Sequence, residues 1–322
     1  MLLLTDLGNR GHTLLKSPGM DLEVKSGIRK PGDFGGDFLG EFFTPEKQVN
    51  ESMVSWPGCG WSGLAVVEEA GSSQYDALLM ATRGPGGLPG PVATVALTGT
   101  GFHGNRRRPW VAARGNLHLS CAAPVDLDAA LCAPAVPAIP AVAVCDALQA
   151  CAPHMNPRIK WVNDVLLNGG KTAGVLAAAQ SRGSRMLSLV YGVGLNVAVA
   201  PPVEPTLFVP RVTCLHDEPG GRDLALGMVL RALLDALWNR LEELRCEGPA
   251  PAIQAYRQYC GDVGRRVMVW SEGLPDTDDI AALPAPMAEG RVLRLDDNLA
   301  LHVEGAPAPL NGGRLAHVMD RE

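Results

Sequence analysis

The stretch from Arg158 to Leu176 constrains this chain more than any other. Arg158-Ile159-Lys160-Trp161-Val162-Asn163-Asp164-Val165-Leu166-Leu167 is followed by Asn168-Gly169-Gly170 and then Lys171-Thr172-Ala173-Gly174-Val175-Leu176. Two short strands joined by a tight turn are expected, because Asn and Gly tolerate the positive φ that short hairpin turns demand. Such a hairpin holds Lys160, Asn163, Asp164 and Lys171 in fixed relation. Two ammonium groups beside a carboxylate suit the handling of a triphosphate and a metal ion.

The rest of the chain divides by texture. Residues 1–62 are rich in Gly and polar residues with little periodicity, and Pro31-Gly32-Asp33-Phe34-Gly35-Gly36-Asp37 reads as loop, so an N-terminal extension is expected there. Residues 63–260 alternate strand and helix signals: strands at Leu64 to Val67, Val92 to Leu97, Gly115 to Cys121 and Arg185 to Val197, and helices at Gln74 to Thr82, Ala141 to Cys151 and Leu224 to Cys246. Ser72 or Ser73 would cap the first helix. In the third, Leu230, Leu234, Leu237, Leu241 and Leu244 form one apolar stripe, expected to pack on a sheet. Residues 261–322 carry short strand signals at Arg266 to Trp270, Gly290 to Leu295 and Ala300 to Val303, which fit a small C-terminal β-barrel. The expected fold is α/β (α+β): a mixed sheet with helices on one side, plus that barrel. A chain of 322 residues, 47% of them hydrophobic, is long enough for about two domains.

Several function classes recede. A net charge of −6 argues against a broad nucleic-acid footprint, and the first 62 residues show no helix-turn-helix pattern. Eight scattered cysteines include no Cys-x-x-Cys pair, which leaves buried reduced thiols as the expectation rather than zinc. The longest apolar stretch, Ala129 to Cys145, is interrupted by Pro134, Pro137 and Pro140, and no targeting segment is evident. A cytoplasmic protein with no membrane association is expected.

Gly99-Thr100-Gly101-Phe102-His103-Gly104 satisfies the spacing of a dinucleotide fingerprint, but a genuine one opens a helix, and Asn105-Arg106-Arg107-Arg108-Pro109 fits a loop. A glycine-rich loop ending in three arginines reads better as a clamp over an anionic ligand.

Lys160-Trp161-Val162-Asn163-Asp164 followed by Lys171-Thr172-Ala173-Gly174 resembles the biotin–protein ligase family. The arginine loop ending at Trp110 matches that family at Gly104, Arg106, Arg108 and Trp110, and Gly115-Asn116-Leu117-His118-Leu119-Ser120 follows as the family's pattern requires. Gly71-Ser72-Ser73-Gln74 and Gly192-Val193-Gly194-Leu195-Asn196 complete four segments in the family's order. Departures are His103 and Asn105 where the family has arginines, Gly99 where it has glutamine, and Val162 where it usually has proline.

The resemblance implies an ATP-dependent ligase that forms biotinyl-5'-AMP and transfers biotin to a lysine of a biotin carboxyl carrier protein or domain. It implies catalytic roles for Lys171, Asp164 and Lys160, and biotin contacts from Ser72, Ser73, Gln74, His103, Gly104, Asn105 and Gly174. It implies nucleotide contacts from Arg106, Arg108, Trp110, Asn163 and Asn196, with Asp164 as a Mg²⁺ ligand. Biotin, ATP and Mg²⁺ are the expected small molecules, and a monomer or homodimer the expected assembly. Asn105 in place of an arginine implies weaker retention of the adenylate. Two alternatives are a lipoate or octanoate ligase of the same superfamily and a non-catalytic biotin or nucleotide sensor.

Overall fold

The structure is a computed structural model that describes residues 1–7, 21–29, 49–55, 58–84, 87–274 and 283–318. A ten-stranded mixed sheet forms its body. In chain order the strands are β1 (Leu2–Thr5), β2 (Asp21–Arg29), β3 (Val49–Ser55), β4 (Gly63–Val67), β5 (Val92–Ala96), β6 (Leu117–Asp128), β7 (Arg158–Lys160), β8 (Asp164–Leu167), β9 (Gly170–Arg182) and β10 (Arg185–Leu195). Across the sheet they lie β2-β3-β1-β4-β5-β6-β10-β9-β8-β7. Among the described strands, β1 with β4 and β4 with β5 are the parallel pairs. Both β4 and β5 are buried along their whole length and read as continuous apolar runs, as central parallel strands do.

The two faces of the sheet carry different loads. Helices α3 (Ala135–Cys151), α4 (Leu226–Glu247) and α5 (Ala250–Tyr259) cover one face, packing on Leu64, Val66, Ala93, Val95, Leu117, Leu119 and Cys121. The leucine stripe of α4 is buried throughout, as its spacing requires. The opposite face carries the short helix α1 (Gln74–Ala81), on Ala65, Val67, Val92 and Ala96. A one-turn helix, α2 (Ala129–Cys132), links β6 to α3.

The ends of the sheet add detail to the expectations. Among the described residues of 1–62, β1, β2 and β3 extend the sheet, and Leu3, Leu4 and Thr5 are fully buried. Four residues are too few to display a period, so β1 was illegible as a strand. The Pro31 to Asp37 run lies outside the described residues. The lysine-bearing segment is three strands rather than two, because residues 161–163 make a turn between β7 and β8, and Asn168 (φ 46°) and Gly169 (φ 80°) make the tight turn between β8 and β9.

Helix α3 starts six residues earlier than expected. Pro137 lies in its first turn, where backbone N–H groups have no intrahelical partner, so only Pro140 removes a helical hydrogen bond. The C-terminal unit has β11 (Arg266–Trp270), β12 (Ala288–Leu295), β13 (Leu301–Val303) and β14 (Arg314–His317) in the order β13-β12-β11-β14. Among the described residues it is a small antiparallel sheet in which β13 and β14 are not paired with each other, at the place where the small β-barrel is expected.

Candidate active site

The register of the sheet sets the site on the α1 face. Asp164 on β8 pairs with Gly174 on β9, Gly174 with Gly194 on β10, Gly194 with His118 on β6, and His118 with Ala96 on β5. This row has two adjacent positions with no side chain, and Trp110 lies in the resulting trough. A Cβ on Gly194 would stand 2.4 Å from the indole, and one on Gly174 would stand 3.2 Å away. The next row, two residues along, has Gly192, where a Cβ would meet the Tyr75 ring of α1 at 3.0 Å. The Gly192-Val193-Gly194 motif is thus a surface for two aromatic rings, with Val193 turned into the opposite core.

His118 anchors Trp110 from below. The indole Nε1 donates to Nδ1 of His118 at 3.3 Å, and the other ring nitrogen contacts the Ala113 carbonyl. Burial depresses the His118 imidazole to about 4, so it is neutral near pH 7 and Nδ1 can accept. The polar side of the Gly115 to Cys121 alternation is therefore buried beneath the loop, not solvated.

Lys171 and Asp164 form the tightest charged contact here, with Nζ 2.6 Å from Oδ1. The same Nζ lies 5.8 Å from the Trp110 ring centroid. Lys160 is buried, and its ammonium donates to the Phe208 carbonyl. Desolvation pulls the Lys160 ammonium below its usual range, against the opposing pull of Asp164 and Asp262. Asn163 completes the hairpin structurally, its Nδ2 donating to the Val175 carbonyl at 2.9 Å.

The arginine loop sits on the same face, joined to the lysine hairpin through Trp110. It is a short 3-10 turn at Asn105–Arg107, with Arg106 and Arg107 in the left-handed region (φ 56° and 57°), and not the helix that a dinucleotide fingerprint needs. Arg106 is exposed at the tip, and Arg108 Nε bonds the Asn105 carbonyl at 3.1 Å. His103 ties the loop to α1: Nε2 faces Asp76 of that helix at 2.9 Å and Nδ1 faces the Gly104 carbonyl at 3.0 Å. Asn105 Nδ2 lies 3.3 and 3.4 Å from the two carboxylate oxygens of Glu272, in the C-terminal unit. At Gly99 a Cβ would stand 2.3 Å from the Ala70 carbonyl oxygen and 2.5 Å from the Phe102 ring, so this backbone has no room for the family's glutamine.

Beneath the loop, Ser73 caps α1, its Oγ accepting from the Asp76 N–H at 3.3 Å. Ser72 is exposed. Gln74 is buried, and neither end of its amide has a hydrogen-bond partner among the described residues; nor has the buried Thr94 hydroxyl. Unpaired buried polar groups are rare and costly, and they mark places where a ligand can complete the bonding.

Asn196 is 1% exposed, donates to the Thr213 carbonyl, accepts from Asn116 and exchanges backbone bonds with Thr172 and Leu215, so its side chain ties β10 to the segments around it. Sequence reasoning also missed the segment Leu207–Arg211, which closes over Lys160 and Lys171 in a pocket of about 50 Å³. Phe208 in that segment packs on Trp270 and under the Arg314 guanidinium, tying the segment to the C-terminal sheet. No local pattern announces such a strap. A larger cavity, about 580 Å³, lies between α3 and α4 on the other face. Its Arg240 is already paired with Asp146 and Glu243, so size alone does not make it the site.

All eight cysteines are unpaired; Cys121, Cys132, Cys145 and Cys214 are buried, whereas Cys246 is exposed. Among the described residues no group of three potential ligands gathers for a metal ion, and no helix is long and apolar enough to cross a membrane.

The fold and the lysine hairpin place this chain beside known proteins. It is 30% identical over 277 residues to the biotin–[acetyl-CoA-carboxylase] ligase of Mycobacterium tuberculosis, covering 85% of this chain and 95% of that protein. It is 38% identical over 116 residues to the enzyme of the same name from Paracoccus denitrificans, covering 36% of this chain and 48% of that relative. In three dimensions it resembles a biotin protein ligase from Aquifex aeolicus solved with biotin and ATP, at a TM-score of 0.59 and 19% identity, over 80% of this chain and 99% of that one. No family model matches. The chain belongs to the biotin–protein ligase family.

Proposed function

We propose that this chain joins biotin to a carrier protein in two steps driven by ATP. The observation that carries this reading is the Lys171–Asp164 pair at 2.6 Å, beside buried Lys160 and under the arginine loop, in a member of a ligase family. In the first step a biotin carboxylate oxygen bonds to the α-phosphorus, the bond from that phosphorus to the bridging oxygen breaks, and pyrophosphate leaves. Negative charge grows on the phosphoryl oxygens, and Lys171 and Lys160 are placed to offset it. In the second step a carrier lysine amine attacks the acyl carbon, AMP leaves with the bonding electrons, and the amine's proton must be taken up; Asp164 is the carboxylate placed to take it.

Biotin is a mostly neutral bicycle with polar ureido atoms, so its pocket needs an apolar floor and a few donors and acceptors. Gln74 and Thr94 offer unsatisfied ones beneath α1. Ser73 caps the same helix, Gly174 lies against Trp110 and Lys171, and Gly104 belongs to the loop above; His103 bonds Asp76 of α1 and the Gly104 carbonyl, and Ser72 is open to solvent. Arg106, Arg108 and Trp110 remain the candidates for the nucleotide. The pocket over the lysines is far smaller than the roughly 300 Å³ at which ligand sites begin, so entry of a nucleotide requires the Leu207–Arg211 strap or Trp110 to move.

Mg²⁺ suits a site with one carboxylate when the phosphates and water supply its other ligands, and Asp164 is the carboxylate among the pocket's described lining residues. When bound, the ion would neutralise phosphate charge. The carrier partner follows from the reaction. Docking by strand addition at β7 is opposed, because Ile159 on its outer edge is already bridged to Cys260.

The test is incubation with ATP, Mg²⁺, biotin and a carrier domain, followed by mass spectrometry of the carrier. A biotinylated carrier lysine is expected. Lipoate uptake in place of biotin, or biotin binding without pyrophosphate release, would turn the reading to one of the two alternatives.

A further inference from the structure

His317 closes β14 and lines the same small pocket as Lys160, Asp164, Lys171 and Arg211. Its Nε2 lies 2.7 Å from Oδ1 of Asp262, whose side chain is only 1% exposed. The other carboxylate oxygen of Asp262 accepts the backbone N–H of Trp161, the residue after Lys160, at 2.6 Å. One buried carboxylate thus binds the C-terminal sheet to the lysine hairpin and orients the imidazole. A carboxylate this deep is costly to bury unless its oxygens are paired, and here each takes a donor. With Nε2 committed to Asp262, Nδ1 is the remaining polar atom of the ring, and it has no hydrogen-bond partner among the described residues.

The pocket's charge defines what it can hold. Lys160, Lys171 and Arg211 outnumber Asp164, which favours a compact ligand with several negative charges. An imidazole fixed by a carboxylate is a pre-set donor to such a ligand once Nδ1 carries a proton, and its rigidity reduces the entropy lost on binding.

We propose that His317, positioned by Asp262, binds the polyphosphate end of the nucleotide and the pyrophosphate that leaves, so that the C-terminal sheet supplies part of the active site. This rests on the ligase reading for the identity of the nucleotide, but not for the binding of pyrophosphate itself.

The experiment titrates inorganic pyrophosphate, and separately biotin, into the full chain and into His317→Ala by calorimetry. Loss of one charge-assisted hydrogen bond should weaken pyrophosphate about tenfold, with biotin affinity kept within about twofold. In turnover the same variant should raise KM for ATP more than it lowers kcat. If His317→Ala does not fold, His317→Gln is read in the same way, since its amide can still donate to Asp262. Unchanged pyrophosphate affinity in a folded variant overturns the proposal, as does a wild-type chain that takes up no pyrophosphate. Biotin-dependent ATP turnover by the wild-type chain tests the ligase reading separately, so the two can fail independently.

Discussion

The Trp110 indole occupies the space that a Cβ on Gly194 would fill, 2.4 Å from where that atom would stand. A loop residue and a strand residue 84 positions further along the chain are therefore matched in shape. Gly194→Ala should push Trp110 out of its trough. Overpacking of this kind costs about 1–3 kcal/mol, and the displaced ring should weaken nucleotide binding. Thermal denaturation, tryptophan fluorescence and KM for ATP check it; an unaltered Trp110 signal with unaltered KM would refute it.

Lys171→Ala should reduce biotin-dependent pyrophosphate release about 100-fold or more, since a preorganised cation is lost where phosphoryl charge develops. Folding should survive, because the Lys171 side chain is partly exposed and its strand is held by backbone bonds. A variant that still transfers biotin at the wild-type rate would end the proposed mechanism.

Asn105→Arg should slow release of biotinyl-adenylate about tenfold by adding a guanidinium to the loop. Glu272 lies within reach of the same position and would compete for that guanidinium. Asn105→Arg combined with Glu272→Gln should therefore retain the adenylate longer than the single variant. The check is the off-rate of the pre-formed adenylate, and equal rates in all three proteins would contradict it.

Asn196→Ala should behave as a structural lesion. Removing it takes the donor from the buried Thr213 carbonyl and one of the two acceptors from the Asn116 amide, at a cost of about 1–3 kcal/mol. A lower denaturation midpoint with little change in KM for ATP is expected; the reverse pattern would support the nucleotide contact that the family resemblance implies for Asn196.

His118 gives acid sensitivity. Its folded value, about 4, lies below the ordinary histidine value of 6.5, so on acidification the unfolded chain takes up the proton first. The stabilisation is complete above about pH 6.5 and is lost progressively as pH falls toward 4. Each unit is worth about 1.4 kcal/mol, so the loss amounts to roughly 3 kcal/mol across that window. Urea midpoints at several pH values for the wild type and His118→Gln measure it, and the variant should show a shallower acid dependence.

Much of this was legible in the chain itself. The α4 stripe, the buried runs of β4 and β5, the Ser73 cap and the turn at Asn168-Gly169 each depend on neighbours within a few residues, and local sequence fixes such features. The Lys160, Asp164 and Lys171 cluster was legible for the same reason, since a hairpin is local. Only the tertiary structure decided which partners meet over long separations: Trp110 over Gly174 and Gly194, Asn105 against Glu272, Phe208 over Lys160, and Asp262 between Trp161 and His317. Those contacts follow from the register of a ten-stranded sheet and the docking of a second one, and no periodicity in the sequence encodes a register between distant strands.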